Sequence, residues 1–532
     1  MAREMASPAT SPKPESHAAP ADADAVPAGG SLRADRPGLA ELLVALACFA
    51  VLCGAVLSRP VTLQEPDDYA YRASIVALSE GHVVLSDAQY QDLRTRLQSA
   101  DAKTAGGNAR VMGMAAGGMR GGLGGAIAQW TRLADGRWVS EKNPGYPFFA
   151  VPFRLLGILR AAPLFYGALA CFALFAGGRR WLGAWGGTWA VGLFCSSGAA
   201  ITFAWRAWMP TFTGAALVAA GAGALLWALL AGDATSRRRT VAGLLGFLAF
   251  EGATLIRYTD VVALAVAVAA VLLAWRFAPG RVPRRALLWW LGSVAVTGAL
   301  VLAWNQAAYG GVLATGYASG VVTFGLGAIA GNLKTMPWKL TTTMPAVWLA
   351  LFGLVWMVAR SIRLRRSAPP DEIRTSRAAA HRDLAVAVAL AAAWAGNWGL
   401  YFTYFWTAQM GGRGGPMGPG GLPGATGPGG AGNAVHLVRF FVPALASIAL
   451  LGAWLLARLP RWLAGATVAG FFCWGIWSFA AMTTASGGGM LPGPGGMPGG
   501  APGGMPGAPG GMPGTPPSGA PLPQGMPTPP GG

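Results

Sequence analysis

Three carboxylates, Glu65, Asp67 and Asp68, stand together in the stretch LQEPDDYAYR, just past the end of a long apolar run. Acids are scarce in this chain: Asp and Glu total 21 of 532 residues, against 40 Lys and Arg. An ionised carboxylate can take the proton of a reacting hydroxyl. It can also supply oxygen ligands to a divalent cation, or simply be solvated at an interface. Cations recur at four other places. Lys142 lies in SEKNPGYPFFAVP, and Arg206 lies between two tryptophans in FAWRAWMP. Arg257 and Asp260 lie in LIRYTD, and His436 and Arg439 in NAVHLVRFFVPAL. Guanidinium and ammonium groups hold phosphate and stabilise negative charge that develops on it. Carboxylates at one place and cations at several suit the transfer of a group from a leaving phosphate to a hydroxyl.

The elements that must position these residues are membrane spans. Hydrophobic residues make up 53% of the chain and charged residues only 11%. A soluble protein carries about a quarter charged residues. The apolar blocks reach the length that crosses a bilayer, roughly 17–25 residues. The reading is an all-α integral membrane protein of about eleven spans. These are placed near Leu39–Leu57, Leu164–Ala176, Leu182–Phe203, Phe212–Ala231, Val241–Ile256 and Val261–Trp275, then Ala286–Ala303, Ala346–Val358, Leu384–Phe405, Phe440–Leu456 and Leu463–Ala481. The stretch Phe148–Leu159 is either a separate short span or a bent approach to the second one.

Orientation follows from the basic loops. Arg179–Arg180, Arg237–Arg239, Arg276–Arg285, Arg360–Arg382 and Arg458–Arg461 share one side when a single span separates Pro147 from Arg179. That side is expected to be cytoplasmic and to include the N-terminus, in a multi-pass protein of the plasma (inner) membrane. The net charge of +19 then reports topology and not a nucleic-acid surface. The acids open a large first extracytoplasmic loop, about 59–146, and RASIVALSEGHVVL has the spacing of a short amphipathic helix on the membrane surface. Residues 1–36 read as a disordered cytoplasmic tail, 37–482 as the transmembrane domain and 483–532 as a disordered extracytoplasmic tail rich in Gly, Pro and Met. All five cysteines fall within predicted spans, so the outer loops hold no disulfide framework.

On this topology Arg206, Arg257 and Arg439 break the positive-inside bias, and ionisable residues at the membrane are costly. The chemistry becomes specific: a sugar carried on a lipid phosphate and passed to an acceptor hydroxyl at the outer leaflet. The residues resemble the GT-C membrane glycosyltransferases that use polyprenyl-phosphate sugars, among them the protein O-mannosyltransferases and the aminoarabinose transferases. EPDDYAYRASIVALSEG resembles that family's acidic motif after the first span, and KNPGYPFFAVP its Pro-Gly-Tyr-Pro segment. WNQAAYGGVLATGY and HLVRFFVPALASIALL resemble two later segments. The order of these pieces carries the resemblance, which covers most of Leu39–Ala481.

The resemblance implies a GT-C-like bundle with Asp67 as catalytic base and Asp68 beside it. It implies Lys142, Arg206, Arg257 and Arg439 at the donor phosphate, and Glu65, Tyr71, Tyr146 and His436 toward the sugar or acceptor. The partners would be a polyprenyl-phosphate sugar, an envelope glycan, lipid or protein acceptor, and membrane lipids, with no nucleic acid. A divalent ion (Mg2+ or Mn2+) on Glu65, Asp67 and Asp68 stays open, because some members of the family use one and others do not. Met209 stands in RAWMP where many members carry an acid before the proline. Two rival readings are a transporter or lipid flippase, and a non-catalytic envelope scaffold. The absence of a convincing internal repeat weighs against the first.

Overall fold

The computed structural model describes residues 37–61, 66–104, 127, 129–232, 234–278, 280, 282–316, 323–366, 373–405, 407 and 437–486. The expectations for the N-terminal tail, the Gly-rich middle of the first loop, the Gly/Pro/Met segments, Glu65, Tyr317 and His436 lie outside the described residues.

The architecture is helical. Helix α1 (Leu39–Leu57) is followed by α2 (Pro66–Ser79), α3 (Asp87–Thr104) and a hairpin of β1 (Trp130–Arg132) and β2 (Trp138–Ser140). The hairpin is a small addition to the all-α reading; Trp130 pairs with Ser140 and Arg132 with Trp138. Next come α4 (Gly145–Leu155), α5 (Ala161–Leu182), α6 (Gly186–Cys195), α7 (Gly198–Trp205), α8 (Thr211–Leu230), α9 (Ser236–Ile256) and α10 (Val261–Phe277). The chain continues through α11 (Arg284–Tyr309), α12 (Ile329–Thr343), α13 (Ala346–Arg366), α14 (Ile373–Phe402), α15 (Leu445–Leu456) and α16 (Arg461–Ser486).

Among the described residues nine helices are long and apolar enough to cross a membrane. The span expected near Leu182–Phe203 is broken: α6 and α7 meet at a bend of 60°. The break falls at Ser196-Ser197-Gly198, the kind of Ser/Gly sequence at which helices kink. The stretch expected near Phe440–Leu456 is a shorter apolar helix, Val442–Leu456. Helix α4 has 11 residues, about 16 Å at 1.5 Å per residue, half of a bilayer core. Phe148–Leu159 is therefore a bent approach to α5 and not a complete span.

Contacts fix which helix ends lie together. Arg179 Nη1 meets Glu41 Oε2 at 3.0 Å, joining the end of α5 to the start of α1. Asp383 of α14 accepts from Trp181 at 3.2 Å and from Arg458 and Trp454 at 3.4 Å. These make a basic end of the bundle. Helix α8 forms its centre, flanked by α5 and α9.

The surface helix expected from RASIVALSEGHVVL takes a different place. Helix α2 begins at Pro66, so Asp67 and Asp68 sit in its first turn, where the helix dipole favours negative charge. Residues 70–77 are buried continuously. One face, Tyr71 and Ile75, joins the core of the bundle. The other, Ala73, Val76 and Ala77, joins a second core with Leu85, Tyr90, Leu93, Leu97, Ile127 and Trp130. A helix with apolar residues around most of its circumference is satisfied by protein on both sides, and α3 and the hairpin supply the cover.

Candidate functional site

The acids are carried to the bundle by a pinned connection. Arg160 donates to the carbonyls of Val56 and Arg59 at 3.1 and 2.6 Å, and the Trp205 indole donates to that of Pro60 at 3.0 Å. Behind them, Tyr71 of α2 meets Tyr146 of α4 edge to face, with ring centroids 5.7 Å apart. The Tyr146 hydroxyl donates to the Ala207 carbonyl. Burial, with Tyr166 and Asp68 nearby, holds that hydroxyl well above the usual tyrosine range.

Asp67 faces two cations. Its Oδ1 lies 2.8 Å from Lys142 Nζ and its Oδ2 lies 2.6 Å from Arg439 Nη1. All three side chains are largely buried, at 14% exposure for Asp67, 6% for Lys142 and 10% for Arg439. Burial alone would raise the Asp67 carboxyl. The charges of Arg439 and Lys142, with hydrogen bonds from Lys142 and Gln129, prevail and hold it well below the usual carboxylate range. Asp68, one residue on, meets Arg206 Nη2 at 2.5 Å with both side chains 1% exposed. This second pair ties the start of α2 to the end of α7.

Each cation has its own support. Lys142 follows β2, where its backbone N–H donates to Ser140 Oγ at 3.2 Å. Ser140 Oγ accepts from Ser74 of α2 at 2.9 Å, and its carbonyl accepts from Tyr309 at 3.1 Å. Arg439 stacks on Phe440 at 4.7 Å, and Arg257 stacks near the same ring at 5.4 Å. Arg257 donates to the Arg439 carbonyl at 2.7 Å and to Thr211 Oγ1 at 3.0 Å, so it braces Arg439 without reaching Asp67.

Two glycines permit this assembly. A Cβ on Gly145 would stand 2.4 Å from the Leu255 carbonyl carbon. One on Gly316 would stand 2.4 Å from the Glu141 Cα, beside Lys142. In both cases the neighbour is backbone, which cannot swing aside. The glycines of KNPGYP and ATGY are thus explained by close approach of the segments that carry Lys142 and Arg257.

The structure therefore brings Asp67, Lys142 and Arg439 into one cluster, and joins Asp68 to Arg206 and Tyr71 to Tyr146. Arg257 adjoins the cluster through the Arg439 backbone. Two further residues stand near these groups, and the first was not expected. Gln129 has φ 55°, in the left-handed region where a residue with a side chain is held at a cost of about 1–3 kcal/mol. Its side chain hydrogen bonds to Asp67, and its Oε1 is buried with no donor. Nothing in AIAQWTR marks it, because its role comes from where the hairpin docks. Asp260 is the other: it is 1% exposed and neither carboxylate oxygen has a hydrogen-bond partner. Its place beside Arg257 was legible, but its burial was not.

The described residues do not fit a divalent ion at the acidic motif. Both Asp67 oxygens face cations and Asp68 faces Arg206. No group of three His, Cys, Asp or Glu side chains among the described residues is arranged to hold a metal.

No family model matches the chain, and no curated protein matches it. Among solved structures, it is similar to the apo oligosaccharyltransferase of Archaeoglobus fulgidus at 11% identity and TM-score 0.45, over 84% of this chain and 56% of that one. It is similar to apo ArnT of Cupriavidus metallidurans at 14% identity and TM-score 0.37, over 78% of this chain and 77% of that one. The chain thus spans about half the length (56%) of the oligosaccharyltransferase.

Proposed function

We propose that this protein is a GT-C type glycosyltransferase that moves a sugar from a polyprenyl-phosphate donor to an acceptor hydroxyl at the extracytoplasmic face of the membrane. The observation that carries this reading is the Lys142–Asp67–Arg439 cluster, with one carboxylate held between two cations at 2.8 and 2.6 Å. It sits at the end of the bundle opposite the Glu41–Arg179 and Asp383–Arg458 contacts.

The arrangement gives the reaction an order. A carboxylate neutralised by two cations is a weak proton acceptor, since basicity follows pKa. The same two cations are the natural holders of a donor phosphate. A phosphate that engages Arg439 and Lys142 competes with Asp67 for them. Asp67 then loses part of the charge that depresses it and becomes more basic. The acceptor oxygen attacks the anomeric carbon as Asp67 takes its proton. The carbon–oxygen bond to phosphate breaks, and the phosphate leaves with the electron pair, held by Arg439 and Lys142. Asp67 thus occupies the phosphate-binding cations until the donor arrives. Asp68 and Arg206 anchor the turn on which Asp67 stands.

The test is incubation of the purified full chain with a panel of labelled polyprenyl-phosphate sugars and envelope acceptors. Transfer that depends on Asp67 supports the reading; Asp67→Asn turning over at the wild-type rate removes its base. One observation favours the transporter reading. Glu251 is 1% exposed within α9 and accepts from Ser293 and Thr297 of α11, both at 2.7 Å, and acids inside the membrane mark ion or substrate paths. Glu251→Gln separates the two: a transferase keeps its turnover, whereas a proton-coupled transporter loses its flux.

A further inference from the structure

The end of the bundle away from Asp67 collects arginines around one acid. Asp383 of α14, 11% exposed, faces Arg382 at 3.3 Å and Arg458 at 3.4 Å, and those two side chains are 30% and 26% exposed. Both contacts are longer than the roughly 2.7–2.9 Å of a charge-assisted hydrogen bond. The same carboxylate also accepts from the indoles of Trp181 and Trp454. Its oxygens serve four side chains, so neither arginine has a carboxylate to itself.

A third arginine adds charge without adding an acid. Arg360 of α13 is partly exposed and has no ion pair among the described residues. It stands close enough to Arg458 for the two charges to oppose each other. Burial lowers the Arg458 guanidinium most; Asp383 raises it and Arg360 lowers it again, to about 10. The cluster therefore holds more positive charge than its one shared carboxylate offsets.

The surroundings are those of a membrane edge. Trp356, one turn before Arg360, is exposed, as are Phe352 and Val355 of the same helix. Trp356 meets Trp454 edge to face at 6.5 Å, and Arg458 lies over the Trp454 ring. Indoles gather at the level of lipid headgroups, so the row from Trp356 through Trp454 to Arg458 leads from an apolar outer surface to the arginines.

We propose that Arg360, Arg382 and Arg458 hold the phosphate of an anionic phospholipid from the leaflet at this end of the bundle. The planar guanidinium fork fits phosphate oxygens, and α13, α14 and the turn after α15 each deliver one. The exposed apolar face of α13 gives acyl chains a surface beside them. A free phosphate would use the same donors but not that face. The cluster lies at the opposite end from Asp67, so lipid binding here requires no transfer activity.

The experiment is a lipid titration of the purified full chain in neutral detergent, followed by microscale thermophoresis, with dioleoyl phosphatidylglycerol and dioleoyl phosphatidylcholine as probes. Phosphatidylglycerol should bind about tenfold more tightly than phosphatidylcholine. Arg360→Gln should weaken phosphatidylglycerol about fivefold and leave phosphatidylcholine unchanged. Arg285→Gln removes an exposed charge from another basic loop and should alter neither. Arg360 strands no ion-pair partner, so it carries the test if Arg458→Gln, which removes a stacked and paired side chain, fails to fold. Equal affinity for the two lipids overturns the proposal. So does an equal loss in Arg360→Gln and Arg285→Gln, which would make the preference one of net charge and not of a site. Displacement of phosphatidylglycerol by millimolar inorganic phosphate would assign the arginines to a free anion and overturn the lipid as its source.

Discussion

Arg439 reaches Asp67 with Nη1 2.6 Å from Oδ2, joining the turn before the last two helices of the bundle to the first turn of α2. With Lys142 on the other oxygen, a single carboxylate holds together the acidic segment, the end of the hairpin and the late Arg-Phe-Phe segment. Competition between that carboxylate and a donor phosphate makes opposite predictions for binding and for rate.

Asp67→Asn removes the competitor and leaves Lys142 and Arg439 without their counter-charge. The variant should bind polyprenyl phosphate more tightly than wild type while transferring roughly 10²–10⁴-fold more slowly. Stability without ligand should fall by about 1–3 kcal/mol and recover when the lipid phosphate is added. Binding measured by microscale thermophoresis in detergent checks the first part. Weaker binding in the variant would show that Asp67 does not stand in the phosphate's place.

Arg439→Ala should weaken polyprenyl-phosphate binding, and Arg439→Lys should restore only part of it, because an ammonium lacks the planar fork of the guanidinium. Arg257→Ala should weaken binding less, since Arg257 acts through the Arg439 carbonyl. A titration series on the three variants gives the order, and a larger loss at Arg257 would reverse it.

Asp68 and Arg206 form the more deeply buried pair, both at 1% exposure. Removing one partner of such a pair costs about 3–5 kcal/mol, whereas replacing both by apolar residues of similar size is far milder. Arg206→Met alone should therefore lower the melting temperature more than Arg206→Met combined with Asp68→Leu. Additive losses in thermal unfolding would mean the pair is not coupled.

Gly145→Ala should be destabilising by about 1–3 kcal/mol, as overpacking is in a close-packed interior, because the added methyl meets the backbone of α9 at 2.4 Å. The displacement also moves Lys142, so donor affinity should fall together with stability. A change confined to stability would separate the α4–α9 contact from the site.

The Asp67 carboxyl is depressed in the folded protein by Arg439 and Lys142 acting against burial. A depressed group stabilises the fold above its unfolded pKa, about 3.9 for Asp, and that stabilisation is lost as the pH falls through its folded value. Acidification from about pH 5 downward should therefore lower the melting temperature more steeply in wild type than in Asp67→Asn. Parallel curves would mean that the ion pairs do not contribute to stability.

The sequence by itself located most of the spans, though not the 60° break between α6 and α7. Helix α1 runs Leu39–Leu57 as read from hydropathy, and α9 and α10 end and begin beside Arg257 as expected. The shared side of the basic loops also argued against Phe148–Leu159 as an extra complete span, and the 11 residues of α4 agree. These properties are sums over neighbouring residues, so a local window contains them. The types of the site residues were legible for the same reason: a lone Arg or Asp is conspicuous where charge is scarce. Their partners were not. That Asp67 takes Lys142 and Arg439, that Asp68 takes Arg206, and that Gln129 is drawn into the left-handed region are outcomes of helix packing across hundreds of residues. The burial of α2 between two cores belongs with them, since the same apolar spacing suits lipid on one side or protein on both. An ion pair forms or fails within a few ångströms, and only the packed chain sets distances of that size.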